Sequence, residues 1–400
     1  MNGVLPLVTI VTPSFNQGQF IEETIKSVLT QDYPNFEYII VDGGSMDETA
    51  EIAERFSDRL RFVSEPDRGQ SDAINKGFRM ASGSIVAWLN SDDIFLPGAI
   101  SAAVAYFLEH PECGAVYGEG YQIDGESNVK SRFEHTQPFD LWKLTYLSDY
   151  ILQQTAFFRR SVFEEVGYLD ESLFYSMDWD ILTRIGKAHM LGYIPRFLGA
   201  LREHGEAKTS KGGVRRFKEI ARLLRKQTGM LFSPGFIVYG LDTYQKIWCA
   251  WLARHLSFWE RLANKAQRVV TRLCHAAIGK VVREAQGWYS DGWASRRVRY
   301  MLPPSHGRYI ELRVRLPELP FKRQRIVVRN GETVFARESF EPGLYTISVA
   351  VPERYWNQTL SFCIEAERWF VPGARAKDNR RLCYFLEEIG YSDRFAVPSA

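Results

Sequence analysis

The chain has 400 residues, 45% of them hydrophobic and 14% aromatic, with a formal net charge of +2. That apolar content is enough for two or more cored domains and excludes a disordered chain, while no uninterrupted apolar run reaches the length of a transmembrane helix. Five scattered cysteines (Cys113, Cys249, Cys274, Cys363 and Cys383) are odd in number and lack metal-ligand spacing, which argues against a disulfide framework or zinc site and for a reducing, cytosolic setting.

Val8-Thr9-Ile10-Val11-Thr12-Pro13 is a β-branched run, and Ser14-Phe15-Asn16-Gln17-Gly18 is turn chemistry opening a helix that continues to about residue 29. With a strand this near the first residue, no signal peptide is expected. A second run, Tyr38-Ile39-Ile40-Val41, ends in Asp42-Gly43-Gly44-Ser45, and Asp47 and Thr49 open a helix through residue 55. A third strand over 60–63 leads into Glu65-Pro66-Asp67-Arg68-Gly69-Gln70, followed by a helix over 71–81 and a strand over 84–89. This alternation predicts an α/β domain with a mostly parallel, Rossmann-like sheet and helices on both faces. Ligands of such sheets bind beyond the carboxyl ends of the strands, where Asp42, Asp67 and Asp92 all fall.

The fourth strand ends in Trp88-Leu89-Asn90-Ser91-Asp92-Asp93. Two adjacent carboxylates there, with nothing apolar following to hide them, suit a hard divalent cation held through oxygen, and such a cation can neutralise a substrate diphosphate. Asp93 also reads as a cap for the helix over 98–109, and Asp42 as a turn aspartate bonded to its own backbone.

In order and spacing, Val11-Thr12-Pro13-Ser14-Phe15-Asn16, Val41-Asp42-Gly43-Gly44-Ser45-Met46-Asp47, Glu65-Pro66-Asp67-Arg68-Gly69 and Asn90-Ser91-Asp92-Asp93 resemble the family 2 glycosyltransferases, inverting enzymes with the nucleotide-sugar-binding GT-A fold. The resemblance spans residues 5–205. It implies that Thr12, Pro13, Phe15 and Asp42 hold the base and ribose of a nucleotide-diphosphate sugar, with a UDP-sugar favoured. It also implies that Asp92 and Asp93 serve Mn²⁺ or Mg²⁺, Asp93 as the direct ligand and Asp92 on the donor as well. Asn90 stands where many relatives carry another aspartate, and water and diphosphate can complete the metal shell. Arg68, Asp72 and Asn75 are further donor candidates that would equally serve as caps or helix-surface residues. His204, in Leu201-Arg202-Glu203-His204, resembles a segment that closes over the diphosphate in relatives; it is a secondary metal candidate, and a satisfied surface histidine is the plain alternative.

An alcohol attacking an anomeric carbon must lose its proton, so a transfer of this kind needs a base. Met177-Asp178-Trp179-Asp180 resembles the family's acceptor segment, usually a Glu-Asp pair at a helix start. Met177 replaces the glutamate, and Asp178 matches the catalytic base, a role compatible with an N-cap.

The overall charge hides an asymmetry. Between Lys208 and Arg283 there are 16 Lys/Arg against three acids (Glu219, Asp242 and Glu260), so this segment carries +13 and the remainder −11. It reads as helices, with Val214, Phe217, Ile220, Leu223 and Leu224 on one face and Ile247, Trp248, Trp251, Leu252, Phe258, Trp259 and Leu262 forming another stripe. Either the stripes pack on the catalytic domain, or the helices lie on an anionic membrane surface with Phe217 or Trp251 inserting. No nucleic-acid-binding motif accompanies the charge. Strand runs over 309–316, 324–329, 333–336, 345–351 and 359–364, with a two-residue hairpin at Asn330-Gly331, predict a C-terminal antiparallel β-sandwich. Trp288, Trp293, Trp356 and Trp369 read as its core or as a sugar-stacking face. Residues 380–386 read equally as a closing strand or a helix.

The expected domains are 1–207 (GT-A), 208–285 (basic helices) and 286–400 (sandwich). The expected function is metal-dependent, inverting transfer of a single sugar to a glycan or lipid-linked acceptor in bacterial surface-polysaccharide assembly, in the cytoplasm or peripherally at the inner face of the cytoplasmic membrane. The bacterial role follows from the resemblance alone. A non-catalytic carbohydrate-binding scaffold is the alternative. A nucleotidyltransferase would open on a glycine- and lysine/arginine-rich phosphate loop instead of Pro13-Ser14-Phe15-Asn16. A processive synthase would carry transmembrane helices and a Gln-x-x-Arg-Trp signature, which the chain lacks. Acceptor choice is expected to lie in the loops over 119–150.

Overall fold

A computed structural model describes residues 5–133, 135–205, 212–255, 268–271, 273–274, 277, 293–294, 296–304, 308–318, 322–356, 358–368 and 383–392. The chain forms two units, Met1–Phe139 with Asp149–Glu219, and Asp140–Ser148 with Ile220–Ala400.

The elements run β1 (Val8–Ser14), α1 (Gly18–Leu29), β2 (Phe36–Asp42), α2 (Thr49–Glu54), β3 (Arg61–Ser64), α3 (Gln70–Met80), β4 (Ile85–Trp88), β5 (Ile94–Phe95), α4 (Ala99–Glu109), β6 (Cys113–Ile123) and β7 (Val129–Arg132). After α5 (Leu141–Tyr146), which belongs to the second unit, come β8 (Phe157–Arg159), α6 (Ser161–Val166), α7 (Met177–Ala188) and β9 (Met190–Arg202). The sheet of the first unit has the order β3-β2-β1-β4-β8-β6-β9-β5, with β7 paired to β6. Its β3-β2-β1-β4 half is parallel throughout, as is the β6–β9 pair, while β8 runs antiparallel between β4 and β6. The mostly parallel α/β sheet expected from the strand-helix alternation is therefore present.

Local chemistry explains the elements. In α1, Phe20, Ile21, Thr24, Ile25, Val28 and Leu29 recur at helical spacing, and all are buried. Pro13 does not end β1; it pairs with Val41 in the parallel register, one residue from the strand's end. The second helix is shorter than the sequence suggests, because Asp47 is drawn into the loop, accepting from the Gly18 N–H at 2.8 Å and the Thr49 N–H at 3.1 Å. A Cβ on Gly77 of α3 would lie 2.3 Å from Val11 Cγ1, so this glycine is what lets α3 settle onto β1. The core beneath the site includes Val8, Ile10, Ile40, Ile85, Ala87 and Leu89, with Tyr38, Phe95 and Phe157 among them, all buried.

The second unit contains a helix over Pro234–His255 and two four-stranded sheets. One is β10 (Trp293–Ala294), β17 (Tyr384–Ser392), β12 (Tyr309–Leu316) and β15 (Gly343–Ala350); the other is β11 (Arg297–Leu302), β16 (Leu360–Ala366), β13 (Gln324–Asn330) and β14 (Thr333–Phe340). Every pair is antiparallel. Where periodicity left residues 380–386 open, the chain is a strand from Tyr384 onward. The hairpin turn is displaced by one residue from Asn330-Gly331. The β13–β14 register shifts between Val328 and Arg329, so Asn330 pairs with Thr333 and Gly331-Glu332 form the loop. Trp288 and Trp369 lie outside the described residues, and the Trp356 indole N–H donates to the Val351 carbonyl at 3.0 Å.

The helix Gly213–Thr228 crosses the boundary between the units, and its apolar stripe is covered: Phe217, Ile220, Leu223 and Leu224 are buried. Phe217 is therefore not available for membrane insertion. Much of the basic segment beyond residue 255 lies outside the described residues, including Phe258, Trp259 and Leu262. Among the described residues no helix is long and apolar enough to cross a membrane.

Candidate active site

At the carboxyl edge of the first unit's sheet, a cavity of about 540 Å³ is walled by the loops after β1, β2, β3 and β4 and by the end of β9. That volume is in the range of small-molecule sites. Pro13, Phe15 and Gln17 come from the first loop, Gly43 from the second, and Asp67 and Gly69 from the third. Asn90, Ser91, Asp92 and Asp93 come from the fourth, and Arg202 and His204 from β9 and just beyond. Polar groups gather here because each parallel strand ends on the same edge, where backbone and side chains leave the apolar core.

The two adjacent aspartates face opposite ways. Asp93 is 0% exposed. Its Oδ1 accepts from the Arg202 backbone N–H at 2.8 Å, and its Oδ2 from Gln154 Nε2 at 2.6 Å and Asn90 Nδ2 at 2.9 Å. Burial first, and the neighbouring Asp92 charge second, push its carboxyl up to about 8. The expectation that nothing would hide this residue is thus corrected: protein donors surround it, and its carboxylate is committed inward. Asp92 keeps 23% of its side chain exposed, and its Oδ2 lies 3.1 Å from His204 Nε2. The Phe20 ring sits 4.8 Å from the His204 ring and 5.0 Å from the Arg202 guanidinium carbon, holding both from one side.

Arg202 is the residue that isolated motifs did not single out. It is 1% exposed. Its Nε donates to the Asp92 carbonyl at 2.7 Å, its Nη1 to the Asp124 carbonyl at 3.1 Å and Ser127 Oγ at 2.8 Å, and its Nη2 to Glu23 at 2.6 Å. One side chain therefore ties the Asp92-Asp93 turn to α1 and to the β6–β7 hairpin. Gln154 and Gln70 were also missed; Gln70 Nε2 donates to Asn90 Oδ1 at 2.6 Å, extending an amide chain to Asp93.

The remaining candidates divide. Pro13 and Phe15 line the cavity, and Phe15 is 58% exposed, an unusual position for an aromatic ring. Thr12 is buried with its hydroxyl 3.0 Å from the Tyr38 hydroxyl, behind the wall. Asp42 is fully buried and serves its own turn, accepting from the Gly44 and Ser45 N–H groups and from the Ser45 and Ser64 hydroxyls. The carboxylate that reaches the cavity from this side is Asp67, whose Oδ2 would lie 2.6 Å from a Cβ on Gly43. Arg68, Asp72 and Asn75 do not line the cavity. Arg68 pairs with Asp72 at 3.2 Å and Glu171 at 2.6 Å, and Asn75 bonds both the Leu169 carbonyl and N–H at 3.0 Å, so α3 directs all three toward the segment before α7.

Asp178, in the first turn of α7, stands apart from the cavity wall, four residues beyond Phe174, which does line it. Its carboxyl is raised above the usual carboxylate range by burial, with the charge of Glu219 adding and the Trp179 N–H and Arg216 opposing. Asp149 is raised further, by burial and then by Asp178 itself. Glu219 caps the segment before α7, accepting from the N–H groups of Phe174, Tyr175 and Ser176.

The glycosyl transferase family 2 model matches residues 9–167. A PGL/p-HBAD biosynthesis glycosyltransferase of Mycobacterium tuberculosis is 31% identical over 184 residues, covering 45% of this chain and 69% of the relative. The chain belongs to glycosyl transferase family 2. It is a glycosyltransferase, and its first unit is the family's GT-A domain. An uncharacterised glycosyltransferase of Rickettsia prowazekii is 28% identical over 220 residues, 54% of this chain and 69% of that protein. A mannosyltransferase of Pyrobaculum calidifontis, solved with GDP-mannose and Mn²⁺, shares the fold at a TM-score of 0.50 and 20% identity, over 70% of this chain and 85% of that one. The family match carries the loops after β1 to β4 and stops short of Asp178, Arg202 and His204.

Proposed function

We propose that this family 2 glycosyltransferase moves a single sugar, with inversion, from a nucleotide-diphosphate sugar to a glycan or lipid-linked acceptor during bacterial surface-polysaccharide assembly, at the inner face of the cytoplasmic membrane. The observation that carries the donor half is the pairing of Asp92 with His204 at the rim of the cavity. One imidazole nitrogen and one carboxylate oxygen suit Mn²⁺ or Mg²⁺ when water and a diphosphate fill the other positions. A divalent cation held there would offset charge on the leaving diphosphate. The direct protein ligand in this proposal is Asp92, with Asp93 fixing the turn from inside. The complex of the Pyrobaculum calidifontis mannosyltransferase with GDP-mannose and Mn²⁺ supports the same chemistry.

On the protein's side, Phe15 offers a ring face to the base, while Thr12 and Asp42 shape the two loops that present Pro13 and Gly43. Asp178 takes the proton from the acceptor hydroxyl as its oxygen bonds the anomeric carbon. The bond from that carbon to the diphosphate oxygen breaks, and its electron pair leaves with the nucleoside diphosphate. Burial, by raising the carboxyl, brings Asp178 closer to the working pH of a base. The test is release of nucleoside diphosphate from a panel of UDP- and GDP-sugars with Mn²⁺ and a lipid-linked acceptor. We expect release with one donor that stops on chelation; release from none would return the scaffold alternative, and release indifferent to chelation would overturn the metal assignment.

A further inference from the structure

The second unit carries an exposed apolar corner beside a basic helix face. The helix Gly213–Thr228 ends at Gly229, whose φ of +69° turns the chain and whose N–H still bonds the Arg225 carbonyl at 2.9 Å. Ser233 Oγ then caps the next helix through the Phe236 N–H at 3.2 Å. Between these two fixed points stand Met230, Leu231 and Phe232, exposed to 44%, 60% and 67%. Three consecutive large apolar side chains in solvent are uncommon on a soluble surface and mark a contact site. Along the following helix Ile237, Tyr244, Trp248 and Trp251 are exposed at spacings of seven, four and three, which places them on one stripe.

The charge beside this corner decides what it meets. Arg222, Arg225 and Lys226 are exposed on the last turns before Gly229, and between Lys208 and Arg283 only three acids accompany 16 basic residues. A protein partner with an apolar face would cover the corner but leave the basic residues beside it unanswered, whereas an anionic bilayer supplies both phosphate charge and an apolar interior. Tryptophan and tyrosine on one stripe match the interfacial depth that such rings occupy.

We propose that the corner Met230-Leu231-Phe232 inserts into an anionic lipid surface, with Arg222, Arg225 and Lys226 engaging the headgroup phosphates and the Tyr244–Trp248 stripe lying at the interface. This rests on the membrane-side location proposed above and not on the transfer chemistry. Insertion holds the chain where a lipid-linked acceptor is presented.

The test is co-sedimentation of the full chain with phosphatidylcholine vesicles, alone or with about one-third phosphatidylglycerol. We expect binding only with the anionic lipid, weakened by salt, and reduced about tenfold or more by Leu231→Ser with Phe232→Ser or by Arg222→Glu with Arg225→Glu. Neither pair removes a buried side chain, so thermal unfolding should not move. Equal recovery with neutral vesicles, no recovery with either, or full binding by the serine variant would overturn the proposal. So would a dimer in solution that the serine variant splits, which would make the corner a contact between copies. Transfer to a water-soluble acceptor analogue, measured on the same variants, should be unchanged, which separates failure of the lipid surface from failure of the proposed reaction.

Discussion

The two units depart from ordinary protein partitioning in opposite directions. In the first, ionisable groups are buried where a surface would be expected: Asp93 and Arg202 are almost wholly enclosed at the carboxyl edge of the sheet. In the second, apolar mass is exposed where a core would be expected, at Met230, Leu231 and Phe232. Burying a charge is costly unless it is paired, and exposing large side chains forfeits hydrophobic stabilisation, so each departure marks a place where folding alone does not account for the residue. The first organises a site from within. The second awaits something from outside.

Breaking the buried side should give the largest effects. Asp178→Asn keeps the side chain's size and removes the proton acceptor, so turnover should fall by about 10²–10⁴-fold with donor affinity unmoved. Kinetics read beside donor binding by calorimetry checks this; a loss of donor affinity equal to the loss of turnover would remove Asp178 from the role of base. Arg202→Met removes the side-chain donors to the Asp92 and Asp124 carbonyls and leaves Glu23 with the Ser127 hydroxyl alone. It should destabilise the first unit by about 1.5–3 kcal/mol in a denaturant titration, the range for losing hydrogen bonds made by a charged group. A change under about 1 kcal/mol would show that the network around Arg202 is replaceable.

A smaller effect sharpens the difference between the adjacent aspartates. The Asp93 carboxyl is raised from 3.8 to about 8, so the folded state favours its protonated form. Its contribution to stability is complete below 3.8 and is lost as pH rises toward about 8. Measured with chelator present, wild-type stability should therefore decline across that window relative to Asp93→Asn, whose amide does not titrate. Parallel curves would mean that Asp93 is ionised in both states.

The strands, the mostly parallel sheet and the carboxylate edge were legible because apolar runs and turn residues act locally. The division of labour within Asp92-Asp93 was not. Which of two neighbours turns inward depends on donors from Gln154 and the Arg202 backbone, 61 and 109 residues away. Arg202 was hidden for the same reason, since an arginine at a strand end reads as surface until Glu23, Asp124 and Ser127 close around it. Asp42 matched a motif by position and Asn75 was a further donor candidate, yet their side chains are held by groups no motif describes: Ser45 and Ser64 for one, the Leu169 backbone for the other. In the basic segment, helical spacing alone could not distinguish the covered stripe of Phe217 from the exposed one of Trp248.

The central claim is that Asp92 with His204, and not Asp93, faces the cation and the diphosphate. Titration of Mn²⁺ into the full chain with a nucleoside diphosphate present, followed by electron paramagnetic resonance, tests it most directly. We expect one saturable site in the wild type, weakened about tenfold or more by Asp92→Asn and by His204→Gln. Unchanged Mn²⁺ affinity in both variants would contradict it.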